Sequence, residues 1–142
     1  MTVPMEYRHA SRDFDAFMTD LRDHAMLQTT HQTYTMLQAV LYAFRRRLDT
    51  RQAIAFAAVL PPVLRAIFVS DWDVDVPPVS FGTEAEMMAE VRALRHNHNL
   101  STDWAIRDVA VVLRRHVDPA AFERVLSDLP QDAREFWRTG ET

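Results

Sequence analysis

The sequence predicts an all-α bundle, on three observations. Only two of its 142 residues are glycine, Gly82 and Gly140, so few positions favour the left-handed turns that tight hairpins need. Apolar residues recur at helical spacing through most of the chain. The chain also repeats itself: shifted by 69 without gaps, residues 33–68 lie over 102–137, and eight of the thirty-six pairs are identical. These are Thr33/Thr102, Val40/Val109, Arg45/Arg114, Arg46/Arg115, Asp49/Asp118, Leu60/Leu129, Pro61/Pro130 and Arg65/Arg134. Composition alone would supply about two or three. Other pairs exchange one apolar residue for another, as in Phe44/Leu113 and Phe68/Trp137. A duplication of this kind makes the repeat unit the object to be read.

The first unit spans about residues 12–69, after a short arm over 1–10. Phe14, Phe17, Met18, Leu21 and Ala25 mark its first helix, with Ser11 or Asp13 available as N-cap. Tyr34, Leu37, Val40, Leu41, Phe44 and Leu48 sustain a stripe over four turns of a second. That helix ends in Arg45-Arg46-Arg47, where positive charge suits the negative end of the helix dipole. Asp49 or Thr50 caps a third, carrying Ile54, Phe56, Ala57 and Leu60. Pro61-Pro62 must break it, since proline lacks the amide donor and clashes with the preceding turn. Val63, Leu64, Ile67 and Phe68 form a short fourth segment.

The second unit, about 83–138, restarts the pattern. Thr83 and Glu86 form a capping box ahead of Met87, Val91 and Leu94. Trp104, Ile106, Val109, Ala110, Leu113 and Val117 mark the next helix. Asp118-Pro119 starts another with Phe122, Val125, Leu126 and Leu129, and after Pro130 come Ala133, Phe136 and Trp137. Repeat arrays need about three units to bury a continuous core, so these two are expected to pack on each other as one pseudo-symmetric domain over 1–142. The linker, 70–82, alternates acid and apolar residues from Asp71 to Val79 and is expected to run extended across the junction, with Trp72 packed into it.

Composition removes several chemistries. With no cysteine, disulfides and thiolate sites are excluded, and with no lysine, Schiff-base chemistry and a P-loop are too. A formal charge of −4 gives no global attraction to nucleic acid or anionic lipid. No apolar run is long enough to cross a membrane, and the start is too polar for a signal peptide, so a cytoplasmic protein is the expectation.

Thr30-His31-Gln32-Thr33-Tyr34, Ala39-Val40-Leu41 with Arg45, Arg47 and Leu48, then Leu60-Pro61, Leu64-Arg65 and Trp72 together resemble a known family. It is the bacterial domain-of-unknown-function family numbered 2267 (DUF2267), also two tandem three-helix units with a Leu-Pro near the end of each. The resemblance covers roughly residues 12–137. One departure is Val59, where members often carry glutamine. The resemblance implies a helical fold in bacteria and no established activity, substrate or cofactor.

The candidate site residues are Arg45, Arg46, Arg65, Arg114, Arg115, Arg134 and Trp72. With Phe44 and Leu48 inward, Arg46 points away from the core, and Arg45 and Arg47 flank it with stems along its edge and heads in water. A phosphate site would need several such cations on one face. Arg65 and Arg134, each four residues past the repeated proline, suit helix-end carbonyls or a carboxylate, with Asp49 and Asp118 as candidates; binding a partner is the alternative. His24 reads as a half-buried, satisfied ring. His96-Asn97-His98 could chelate only if extended, with a third ligand from His24, His31 or an aspartate. Asp71, Asp73 and Asp75 imitate the opening of a calcium loop, but Val76 and Gly82 stand where it needs glycine and glutamate. Glu6-Tyr7-Arg8-His9 is the only Glu-x-x-His, and a di-iron bundle needs two. No catalytic constellation, metal site or cofactor fingerprint emerges. The expectation is a non-catalytic interaction or adaptor module, self-associating or with a protein partner. Weak nucleic-acid binding through the arginine clusters, and a metal or small ligand between the units, are the alternatives.

Overall fold

The computed structural model describes residues 2–94 and 104–139, and among them every regular element is helical. The first half holds α1 (Met5–Arg8), α2 (Ala10–His24), α3 (Thr30–Arg45), α4 (Thr50–Ala57) and α5 (Pro62–Val69). The second holds α6 (Glu84–Leu94), α7 (Ala105–Arg115), α8 (Pro119–Ser127) and α9 (Gln131–Phe136). The pair His96 and His98 lies outside the described residues.

The starts follow local chemistry. Capping boxes open α3 (Thr29 with Gln32), α4 (Asp49 with Gln52) and α6 (Thr83 with Glu86), each side chain taking an otherwise unused backbone donor. Pro61 and Pro130 adopt nearly one conformation, φ −58° and ψ 155° against φ −57° and ψ 155°, and α5 and α9 begin directly after them. The extended ψ ends the preceding helix, and the next one starts where a free amide would be an orphan anyway.

Several expectations need correction. The arm is not featureless: it contains the one-turn α1, and α2 begins at Ala10 behind His9 with no side-chain cap, so neither Ser11 nor Asp13 serves. Asp118 stands at the N-cap of α8 but makes no capping bond. Ile54 (59% exposed), Trp104 (57% exposed) and Leu94 face outward from their stripes. Trp104 sits at the N-cap of α7, where the Arg107 guanidinium lies 5.3 Å from its ring.

The halves are interleaved. α2 packs on α7 as well as on α3, α6 lies on α3, α3 touches α7, and α4 meets α8. The buried apolar residues accordingly form one cluster drawn from both halves. At its centre Phe56 stacks on Trp137 at 5.4 Å, and Phe44 lies 4.9 Å from Phe136 and 5.2 Å from Trp137. Offset and edge-on arrangements of this kind suit aromatic quadrupoles. The fully buried Trp137 Nε1–H has no hydrogen-bond acceptor among the described residues. Phe44, Phe122 and Phe136 stand edge-to-face with the indole.

Two consequences are measurable. Gly82 has φ +70°, and an added Cβ would stand 3.3 Å from a Glu86 carboxylate oxygen; Gly82→Ala is expected to lower stability by about 1 kcal/mol or more in urea unfolding. The Thr83 backbone and side-chain hydrogen bonds hold the Glu86 carboxyl below its ordinary value. A depressed carboxyl contributes stability at neutral pH that is lost as pH falls through its folded value. The melting-temperature advantage of the native chain over Glu86→Gln should therefore shrink on acidification below about pH 4.5.

Candidate functional site

The arginine run at the end of α3 was the leading candidate, and its three side chains take three different courses. Arg45 and Arg47 do not keep their heads in water; each residue is only 9% exposed. Arg45 Nη1 donates to the carbonyls of Phe68 (2.9 Å) and Ser70 (2.7 Å), and Nη2 to that of Asp71 (3.4 Å). These carbonyls end α5 and lack helical partners. Burial pushes the guanidinium down from its ordinary value, against the pull of Tyr42 and the Asp71 carboxylate. Asp71 itself has φ 50°, a left-handed turn that aspartate tolerates better than most residues, directly after the carbonyls that Arg45 gathers.

Arg47 donates to the Ala43 carbonyl (2.7 Å), the Phe81 carbonyl (3.2 Å) and both oxygens of Glu90 on α6 (2.8 and 3.3 Å). Arg46, exposed as expected, reaches the same Glu90 at 2.8 Å. One carboxylate thus holds two guanidinium groups and ties α3 to the other half of the chain.

The later run repeats part of this. Arg114 Nε donates to the Trp137 carbonyl at 2.9 Å, the counterpart of the Arg45–Phe68 bond sixty-nine residues earlier; its Nη1 pairs with Glu123. Arg115 and His116 both meet Asp20 on α2, at 2.8 and 3.0 Å. Arg65 takes the helix-end carbonyls, Ala57 at 3.1 Å and Leu60 at 2.9 Å, and not Asp49, which is engaged in its capping box. Arg134 does not share that role: it is exposed on a shallow groove beside Arg114 and Arg138. His24 is an exposed residue and not a half-buried one, its ring lying 3.5 Å from Asp108, and His31 is exposed too. Among the described residues no three metal-ligating side chains converge.

What these clamps build is a crevice beside the strap of residues 70–81. Tyr42 and Trp72 flank Arg45, with its Cζ 4.4 and 5.5 Å from their ring centroids. The Tyr42 hydroxyl and Ser70 Oγ share a hydrogen bond at 2.6 Å, and the Val79 amide donates to the Arg46 carbonyl at 3.1 Å. The strap is thereby fixed at both ends over the end of α3. Between it and α3 lies a crevice of about 260 Å³, lined by Tyr42, Leu48, Trp72, Val76 and Pro77 and bordered by Asp71 and Asp73. Of the predicted residues, the structure brings Arg45, Arg46 and Trp72 together here and leaves Arg65, Arg114, Arg115 and Arg134 elsewhere. Tyr42, Glu90, Asp20 and His116 were missed. Only Tyr42, one helical turn before Arg45, carried a local signal.

The model of one protein family matches residues 14–136, nearly the whole described chain. The chain belongs to the DUF2267 family. Its description is that of an uncharacterized conserved protein. No curated protein matches the sequence. In this DUF2267 chain no described helix is long and apolar enough to cross a membrane.

The clamps and the surface pairs separate in a mutational test. Arg45→Met leaves the α5 carbonyls without their donor and is expected to cost about 1–3 kcal/mol in urea unfolding. Arg46→Met, losing an exposed pair, should cost at most about 1 kcal/mol.

Proposed function

We propose that this DUF2267 protein is a non-catalytic, cytoplasmic interaction module whose partner seats in the crevice beside the strap. The occupant we assign is an apolar segment carrying a lysine or arginine. The observation that carries the reading is the mismatch of charge around the crevice. Arg45 is engaged by backbone carbonyls and Arg46 by Glu90. The Asp71 carboxylate acts on Arg45, whereas Asp73 and Asp75 are exposed and join no ion pair among the described residues. Asp71 and Asp73 therefore border the aromatic and aliphatic surface of the crevice, with Asp75 further along the strap and Val74 and Val76 also exposed. Aromatic rings beside carboxylates form the setting that retains a cationic side chain while burying its aliphatic stem.

The nucleic-acid reading draws less support, because affinity for phosphates needs several uncommitted cations on one face. Here Arg45, Arg46, Arg47, Arg114 and Arg115 all face protein oxygens.

The test uses fluorescent peptides of alternating leucine and arginine, against a matched set of leucine and glutamate. The arginine set should bind, weaken as salt is raised, and lose about tenfold or more in affinity with Trp72→Ala. Equal binding of both sets, or binding indifferent to Trp72→Ala and to Asp71→Asn with Asp73→Asn, would remove this reading.

A further inference from the structure

We infer that a cleft between the Leu60-Pro61 corner and the end of α7 binds a small organic cation, an ammonium group carried on an apolar body. The ground is a comparison that the repeat itself supplies. Under the shift of 69, His116 and Asp118 stand where Arg47 and Asp49 stand in the first half. Both first-half residues are engaged in holding the fold: Arg47 takes two backbone carbonyls and Glu90, and Asp49 caps α4. Their counterparts are left with free groups. His116 uses only Nε2, which meets Asp20 at 3.0 Å. A carboxylate accepts, so Nε2 carries the proton there, and in the neutral ring Nδ1 remains as an acceptor. Nδ1 has no partner among the described residues and is open to solvent, because a buried one would join Trp137 Nε1 as an unpaired interior atom. Asp118 makes no capping bond and joins no ion pair among the described residues.

Both residues border one cleft. Its more enclosed part, a chamber of about 140 Å³, is lined by Phe14, Phe17, Pro61, Val63, Leu64 and His116. This chamber adjoins a wider groove of about 340 Å³, where His116, Val117 and Asp118 face Val59 and Leu60. Asp13 and Pro61 belong to both parts. Phe17 meets His116 edge-on at 5.2 Å, which holds the imidazole from a second side. The guanidinium in the groove, that of Arg65, is taken up by the Ala57 and Leu60 carbonyls and the Tyr7 hydroxyl, with Glu6 3.9 Å away. The side-chain groups left to a ligand are therefore acceptors: His116 Nδ1, the Asp118 carboxylate and the Asp13 carboxylate, whose ion pair with exposed Arg12 is a long one of 3.6 Å. They do not converge closely enough for a metal ion, so the ligand must reach several acceptors at once. An ammonium group, with three donors and no acceptor, meets that demand. The chamber has room for about one aromatic ring, which sets the size of the apolar body. The cleft shares no lining residue with the crevice beside the strap, and neither site requires the other.

The test titrates the full chain, labelled with nitrogen-15, with phenethylammonium at neutral pH, and with phenylacetate and phenethyl alcohol as its anionic and neutral analogues. The ammonium should bind in the millimolar range or tighter, well ahead of both analogues, and should move the His116 Nδ1 resonance and the amides of Phe17, Leu64 and Val117. Asp118→Asn removes no bond of the fold, so it should weaken binding about fivefold or more at an unchanged melting temperature. Asp13→Asn should act in the same direction, and Asp73→Asn beside the strap should leave the affinity as it was. No response to millimolar ammonium would overturn the inference. So would an equal response to either analogue, an affinity indifferent to both Asp118→Asn and Asp13→Asn, or shifts that gather around Trp72 instead of His116.

Discussion

A buried guanidinium that gathers stranded carbonyls is the interaction on which the rest of this fold depends. The helices are short, α5 and α9 having eight and six residues, and a short helix leaves as many free carbonyls at its end as a long one. Where such an end faces the interior, water cannot serve it. Arg45 serves the end of α5 and Arg114 that of α9, each reaching the carbonyl twenty-three residues on. Arg65 does the same for the turn before the Leu-Pro corner. A planar group with five donors on a long stem suits this work, because one side chain can serve two or three acceptors in different directions.

The clamps also explain the connections. Arg47 bonds the Phe81 carbonyl on the strap and Glu90 on α6, so the end of α3 anchors both the chain leaving the first half and the first helix of the second. The interior then fits by alternation of size. Ala53 and Phe56 on α4 correspond to Phe122 and Val125 on α8 under the repeat. Phe56 and Phe122 meet at 5.9 Å without competing for one space. Strict identity at these positions would have set two large rings, or two small side chains, at equivalent places in a shared core.

For function, the effect is that most of the arginine charge is turned inward or paired, and the charge left without an ion pair beside the apolar crevice is the carboxylate of Asp73. The strap is held at Ser70 and Asp71 by Arg45 and at Val79 by the Arg46 carbonyl, while the stretch between presents Asp73, Val74 and Asp75 to solvent. A scaffold that immobilises both ends of an extended segment preorganises it for a partner, which reduces the ordering cost of binding.

Much of this could be read from the chain before folding. The helical class, the Leu-Pro corners, the cap at Asp49 or Thr50, the capping box at Thr83 and the repeat itself are local or periodic. A cap, a proline and an amphipathic stripe act within a turn or two of their own residue. The fate of the arginines could not be read in the same way. Periodicity correctly sent Arg46 outward and set Arg45 and Arg47 at the flanks of the stripe. Whether a flank position faces water or another element depends on what packs there, and the covering pieces are the end of α5, the strap and α6, up to forty-three residues away in sequence. The sequence by itself determined that there would be two similar sets of short helices with unserved ends. That α6 lies on α3, and that α2 meets α7 as well as α3, was settled only in three dimensions, because it rests on which apolar faces meet, and helical periodicity specifies a face without naming its mate.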